Sequence, residues 1–355
     1  MASFHKLEVK EVKRETQECV SILFDVPNEL QDTFQFIQGQ YLTLRIQLNG
    51  EEVRRSYSIC SSPYGTELRV AVKKIPDGKF STYANTVLKS GDVIDVMAPM
   101  GNFYTDLAKE NEKKYAAFSS GSGITPIISI IRATLKAEPK SKFTLFYGNK
   151  NNESIIFNDD INHLKQEYSN RFEVYHVFSR QDDVEPPFKG RLSADKCRAY
   201  HQDLIDLISL DEVFLCGPEQ MIFELKDALV DIGLSVSNIH FELFTSAKKD
   251  KQELQVANVS VEMTQVEVVI DGDSYHFELA QNADTILDAA IAADADVPFA
   301  CKGGVCCACK AKVMEGTVRM EMNYGLDEDE VEDGYVLTCQ SHPTSKKLII
   351  DFDEI

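Results

Sequence analysis

The 355-residue chain contains nine cysteines, and five of them fall in its last 55 residues. Cys301, Cys306 and Cys309 stand in the spacing C-x4-C-x2-C, and Cys339 follows after 29 intervening residues. Thiols crowded on that scale read as metal ligands, and this spacing is the one used for a plant-type 2Fe–2S cluster. A loop wrapped so closely must aim backbone N–H groups at sulfur. Gly303 and Gly304 suit it, because they admit positive φ and leave no Cβ in the way. Zinc is the competing reading, but structural zinc sites usually space their ligands as two close pairs. Cys307, between two ligands, is expected to point away from the cluster and act as filler.

Two further groups of residues suit phosphate. The first is Arg55-Ser56-Tyr57-Ser58, followed by Val72-Lys73-Lys74 and by Gly78-Lys79-Phe80-Ser81-Thr82 at the start of a helix. Arg55 offers a forked cation for pyrophosphate and Tyr57 a flat ring for stacking. Gly78 beside a helix N-terminus leaves N–H groups and a positive dipole end free for phosphate. The second is Ser119-Ser-Gly121-Ser-Gly123-Ile-Thr125-Pro126, between a strand and a helix, with Cys216-Gly217-Pro218 ending another apolar strand. Parallel sheets bind dinucleotides at such strand ends. Cys216 taken alone reads as a core residue. No acid stands where NAD enzymes grip the ribose 2′-OH, whereas Ser179-Arg180 and Lys150 stand at strand ends. That favours NADPH over NADH.

Residues 1–104 must position the first of these groups and read as mostly β, with alternation in Tyr41–Ile46, turns at Leu48-Asn49-Gly50 and Pro76-Asp77-Gly78, and one helix over Ser81–Lys89. Many short strands with one helix predict a closed antiparallel barrel. Residues 105–246 alternate short apolar runs (Tyr115–Phe118, Phe143–Tyr147, Phe172–Phe178, Glu212–Cys216, Ile239–Phe244) with helical stretches, the pattern of a parallel sheet covered on both faces. Residues 247–265 read as a linker. Residues 266–355 read as a small α+β unit, with a hairpin at Asp271-Gly272-Asp273 and a helix over Thr285–Ala293 capped by Asp284.

The net charge of −20 argues against nucleic acid as a partner. There is no apolar stretch long enough to span a membrane and no secretory leader pattern at Met1–Lys10, so a cytoplasmic protein is expected. From Val266 onward there are 19 acids against 6 bases, a net of −13. Asp327, Glu328, Asp329 and Glu330 in that excess read either as a solvated helix face or as a surface that steers a basic partner.

Residues 266–355 resemble a plant-type ferredoxin domain with a β-grasp fold, and the two preceding domains resemble the ferredoxin–NADP reductase superfamily. The resemblance implies FAD in the barrel. Arg55 would meet the pyrophosphate, Tyr57 the flavin or its ribityl chain and Ser58 the region of flavin N5, with Val72, Lys73, Lys74 and Gly78 to Thr82 completing the site. It further implies a nicotinamide beside Cys216, oriented by Glu242, with Phe244 shielding the isoalloxazine. The order of domains, Ala300–Cys309, Asn323–Leu326 and Val336–Ser341 are similar to the reductase subunits of phenylacetyl-CoA epoxidase complexes. That similarity implies transfer from NADPH through FAD and 2Fe–2S to a di-iron oxygenase acting on an aromatic acyl-CoA. A ring-hydroxylating oxygenase, a desaturase or a cytochrome as acceptor, and an electron-transfer subunit with an unused nicotinamide site, stand as alternatives.

Overall fold

The structure, a computed structural model, describes residues 4–244, 262–281 and 284–354. Its first unit is built from β1 (Phe4–Thr16), β2 (Cys19–Asp25), β3 (Tyr41–Leu48), β4 (Glu51–Ser58), β5 (Leu68–Lys73) and β6 (Val93–Met97), in the spatial order β4-β3-β6-β1-β2-β5. All neighbours are antiparallel. An Ile59–Val70 bridge joins the two end strands and closes the barrel. The period-two pattern drives this, since Leu7, Val9, Ile22, Leu42, Leu44, Val70 and Val96 all meet in one buried core. Helix α1 (Lys79–Thr86) covers it with Phe80 and Ala84, beginning two residues earlier than the sequence pattern predicts and ending three earlier.

The second unit is a parallel sheet of β7 (Lys114–Ser120), β8 (Lys142–Asn149), β9 (Phe172–Phe178), β10 (Glu212–Cys216) and β11 (Ile239–Glu242), ordered β11-β10-β7-β8-β9. Helices α2 (Ile124–Ala137) and α3 (Asn158–Glu167) share one core with it. Helices α4 (Ala194–Asp203) and α5 (Glu219–Ile232) share the other. Burial on both faces explains why these strands are nearly continuous apolar runs. The chain builds outward in opposite directions from the β7–β10 pair, so the ends of those two strands form the sheet's switch point.

The third unit orders β13-β12-β18-β14-β16, with β12 (Met263–Ile270), β13 (Asp273–Ala280), β14 (Lys310–Glu315), β16 (Tyr335–Leu337) and β18 (Lys347–Asp351). β12 and β18 are parallel and the other pairs antiparallel. β15 (Val318–Met320) and β17 (Ser341–Pro343) form a separate pair. The hairpin turn is Asp271-Gly272, with φ of 52° and 79°, which suits the two-residue turns that match strand twist. Helix α6 (Ile286–Ala292) is capped by Thr285, whose side chain accepts from Asp288 N–H, and not by Asp284. The predicted linker, 247–265, lies mostly outside the described residues; Met263, Thr264 and Gln265 already belong to β12. Among the described residues no helix is long and apolar enough to cross a membrane.

Candidate functional site

At the switch point, Cys216 pairs with Ser119 on one side and Glu242 on the other, so the carboxyl ends of β7, β10 and β11 bring three polar side chains side by side. The Cys216 thiol is fully buried, and burial first, then the Glu242 carboxylate, holds its pKa far above the usual thiol value. Glu242 is half-buried, and burial pushes its carboxyl up to about 8 against an opposing hydrogen bond from Ser58 Oγ, at 3.1 Å. That bond links the barrel to the nucleotide domain. The Ser119 hydroxyl is buried with no hydrogen-bond partner among the described residues, a condition that suits a polar ligand group.

Backbone geometry at the same point is tight. Gly121 to Gly123 form a 3-10 turn that runs into α2, so the helix starts at Ile124 and Pro126 lies inside its first turn. A Cβ on Gly123 would lie 2.1 Å from the Cys216 carbonyl oxygen, so only glycine lets this turn approach β10. Thr125 does not offer a free hydroxyl: it is buried and donates to the Ser122 carbonyl at 3.0 Å. Pro218 caps α5 at its N-terminus, beside Gly217. Lys73 Nζ reaches over Gly121, 3.4 Å from where a Cβ would stand.

On the barrel, Arg55 and Tyr57 lie two apart on β4 and share a face. The Tyr57 ring rests on Phe80, with centroids 5.2 Å apart, and burial raises the pKa of its phenol. Gly78 precedes α1 with no side-chain cap, so the helix N-terminus keeps its N–H groups for an anion. Three predicted contacts turn inward. The Val72 side chain is in the barrel core and Phe80 backs Tyr57, while the buried Ser81 hydroxyl donates to the Gly78 carbonyl and accepts from Ile75 N–H. Alternation places Val72 inside, between Ala71 and Lys73, so its side chain has no access to a ligand.

Lys150, Ser179 and Arg180 stand together just past the ends of β8 and β9. Ser179 N–H donates to the Asn149 carbonyl and Arg180 N–H to the Lys150 carbonyl, which joins the ends of β8 and β9. Lys150 Nζ lies 3.4 Å from Glu18 on the barrel. Phe244 lies two residues past β11 and is 38% exposed, a large aromatic left open beyond the strand end.

The cysteine loop closes the third unit. Cys301 and Cys306 sulfurs are 3.1 Å apart, and Gly303 N–H points at Cys301 Sγ. Hydrogen bonding to Cys306, then to Cys339, draws the Cys301 thiol down, and bonding to Cys339 draws Cys309 down. Cys306 and Cys339 are pushed up, first by their bonds to Cys301. Four sulfurs thus share charge in one buried place. An all-thiol donor set in this spacing suits a two-iron cluster, whereas structural zinc sites usually space their ligands as two close pairs. Cys307 Sγ turns away to donate to the Gly325 carbonyl at 2.7 Å, and burial pushes its pKa up to about 12.

Two features of this region carry no clear signal in the sequence. Tyr41 OH accepts a hydrogen bond from Cys307 N–H at 3.0 Å, tying the barrel to the cysteine loop. Arg54 reaches the Val297 carbonyl at 3.5 Å, pairs with Asp296 at 3.5 Å and lies 4.3 Å from the Phe299 ring centroid. The acidic run also resolves. Asp327 caps the short helix α7 (Glu328–Glu332) in a reciprocal box with Glu330, and Glu330 further binds Lys310 and Asn102. Of the four, Glu330 is held in an ion pair with Lys310, while Asp327, Glu328 and Asp329 are exposed and keep their charges toward solvent.

Residues 6–104 match the oxidoreductase FAD-binding domain, residues 118–227 the oxidoreductase NAD-binding domain, and residues 268–344 the 2Fe-2S iron-sulfur cluster binding domain. Those three domains define an oxidoreductase of the flavin and iron–sulfur reductase class. Within it, the chain belongs to the family of oxygenase reductase components that includes a component of 1,2-phenylacetyl-CoA epoxidase. It is 41% identical to that component from Escherichia coli (strain K12) over 354 residues, 99% of each chain. It is 32% identical over 353 residues to the ferredoxin reductase component of 3-ketosteroid-9-alpha-monooxygenase from Rhodococcus rhodochrous, across 98% of this chain and 96% of that one. Phthalate dioxygenase reductase shares the fold over 98% of both chains, with a TM-score of 0.58 at 22% identity.

Proposed function

We propose that this chain takes hydride from NADPH and delivers single electrons through FAD and a 2Fe–2S cluster to a di-iron oxygenase that epoxidises an aromatic acyl-CoA. The observation that carries the reading is a register. Tyr41 and Ser58 are directly opposite on β3 and β4, and one binds the cysteine loop while the other binds Glu242 at the nucleotide site. Opposed residues on antiparallel strands share a face with Cβ atoms about 4.5–5.5 Å apart. Hydride entry and electron exit are therefore built on neighbouring residues.

In this reading FAD converts a two-electron donor into two one-electron deliveries, the chemistry a cluster alone cannot supply. Arg55, Lys73, Lys74 and the free N–H groups after Gly78 hold its phosphates, and Tyr57 with Phe244 flanks the ring system. Gly121, Gly123, Gly217 and Pro218 admit the pyrophosphate of the nicotinamide coenzyme, and Lys150, Ser179 and Arg180 receive a 2′-phosphate. Glu242, protonated at neutral pH, and Ser58 orient the nicotinamide without placing a full negative charge beside it. The buried Cys216 stays a neutral thiol and excludes water. Cys301, Cys306, Cys309 and Cys339 hold the cluster.

The 41% identity to an epoxidase component across the whole chain supports this acceptor, and the 32% identity to a ketosteroid monooxygenase component supports an alternative oxygenase. Anaerobic mixing with NADPH, followed by addition of each purified oxygenase, tests the choice. Oxidation of the reduced chain by the di-iron epoxidase alone is expected. Oxidation only by the other oxygenase would refute the assignment.

A further inference from the structure

The contact between barrel and cysteine loop is narrow and specific. Tyr41 is 5% exposed and packs with Ala300, Cys306 and Ala308 in a small apolar cluster separate from the larger cores. Its backbone is pinned by Met100, donating to that carbonyl at 2.8 Å and accepting from its N–H at 3.1 Å. Gly101, at φ of 116°, lies so close that a Cβ there would be 3.0 Å from the Tyr41 ring. Ring, backbone and hydroxyl are all fixed, and the hydroxyl ends on the amide of the residue between two cluster-ligand candidates. A tyrosine kept neutral by burial can accept this bond at no cost in charge.

We infer that Tyr41 is a positioning residue for electron exit: it sets the register of the cysteine loop on β3, directly opposite Ser58 on β4, and so sets the path from flavin to cluster. The inference rests on the reading of Cys301, Cys306, Cys309 and Cys339 as cluster ligands. The electron balance is simple. With FAD and cluster bound, hydride would bring two electrons and one proton to the flavin; one electron would pass by way of the Tyr41 contact to the cluster, and the second, with the proton, would stay on the flavin until the cluster had passed its electron on. Nothing in this step consumes a proton or bond of Tyr41 itself. Its hydroxyl fixes the separation of barrel and cysteine loop, and electron passage slows as that separation grows.

The test uses the full-length holoprotein and Tyr41→Phe, which keeps the ring in its cluster of apolar neighbours and deletes only the acceptor oxygen. Iron and flavin contents and the rate of flavin bleaching by NADPH are expected to match the wild type. The later bleaching of the iron–sulfur band is expected to slow several-fold while the flavin step does not. Amide exchange in the peptide holding Cys307 should quicken by about two- to tenfold, the worth of one net hydrogen bond. Faster exchange with an unchanged cluster step would overturn the inference, as would equal slowing of both steps. Loss of iron from Tyr41→Phe would overturn it too, because the hydroxyl would then serve retention of the cluster. Wild-type protein without iron would refute the ligand reading first and the inference with it.

Discussion

Replacing Glu242 with Gln isolates the most perturbed carboxyl of the nucleotide site. The amide keeps the Ser58 hydrogen bond, since Ser58 Oγ donates and the Gln carbonyl accepts. In the folded wild type the carboxyl holds its proton up to about pH 8, because burial disfavours the charge more than Ser58 stabilises it. In the unfolded chain it ionises near pH 4.3. Between those values folding takes up a proton, so wild-type stability falls as pH rises, by up to about 1.4 kcal/mol per unit. Below both values the two proteins should be equally stable on this account. The advantage of Glu242→Gln should grow above about pH 4.3 and level off above about pH 8. Undiscounted, that sums to about 5 kcal/mol; Glu242 is half-buried, so solvent screening reduces it to about 1–2 kcal/mol. Urea midpoints of both holoproteins at pH 5, 6.5 and 8 measure it. The difference should widen with pH. The same difference at all three would refute the reasoning, and a wild type that gains on the variant as pH rises would reverse its sign.

Replacing Cys301, Cys306, Cys309 or Cys339 by Ser should bleach the iron–sulfur absorbance and leave flavin reduction intact, while Cys307→Ala should cost only its bond to Gly325; iron analysis separates the two. Arg180→Ala should weaken NADPH binding by about tenfold to more than a hundredfold, the worth of a charge-assisted hydrogen bond, and leave NADH nearly unchanged in titrations. Arg54→Ala removes an ion pair and a cation–π contact between barrel and ferredoxin domain; a loss of about 1–3 kcal/mol is expected in denaturant melts. Glu328→Gln with Asp329→Asn should lower the rate of delivery to a basic acceptor as added salt does, with α7 intact because Asp327 and Glu330 keep its cap; a rate independent of salt in stopped-flow would remove the steering role.

The chemistry is readable where it depends on local spacing. The cysteine spacing proposed to hold the cluster, the glycines before α2 and the apolar runs of the parallel sheet are short-range patterns, and Glu212–Cys216 and Phe172–Phe178 have the strand limits their patterns predict. What joins the domains is not readable. Ser58 meets Glu242 across 184 residues and Tyr41 meets Cys307 across 266, and no periodicity encodes a single contact at such range. Tyr41 sits in an alternating strand and looks like one more barrel residue. Val72 stands beside a lysine pair in the sequence, and strict alternation with Ala71 and Lys73 is what turns its side chain into the barrel core. Asp327 and Glu330 have the spacing of a capping box, a signal masked by the acids around them.

Anaerobic rapid mixing of the full-length holoprotein with one equivalent of NADPH, read by flavin absorbance and by freeze-quenched electron spin resonance, tests the central claim most directly. Flavin bleaching should come first, and the spin of a one-electron-reduced two-iron cluster should rise as the flavin is partly reoxidised. Cys339→Ser should show the first event without the second. A cluster spin that appears with no prior flavin bleaching, or a fully reduced flavin beside a cluster that never gains an electron, would contradict a path running from nicotinamide through flavin to iron–sulfur.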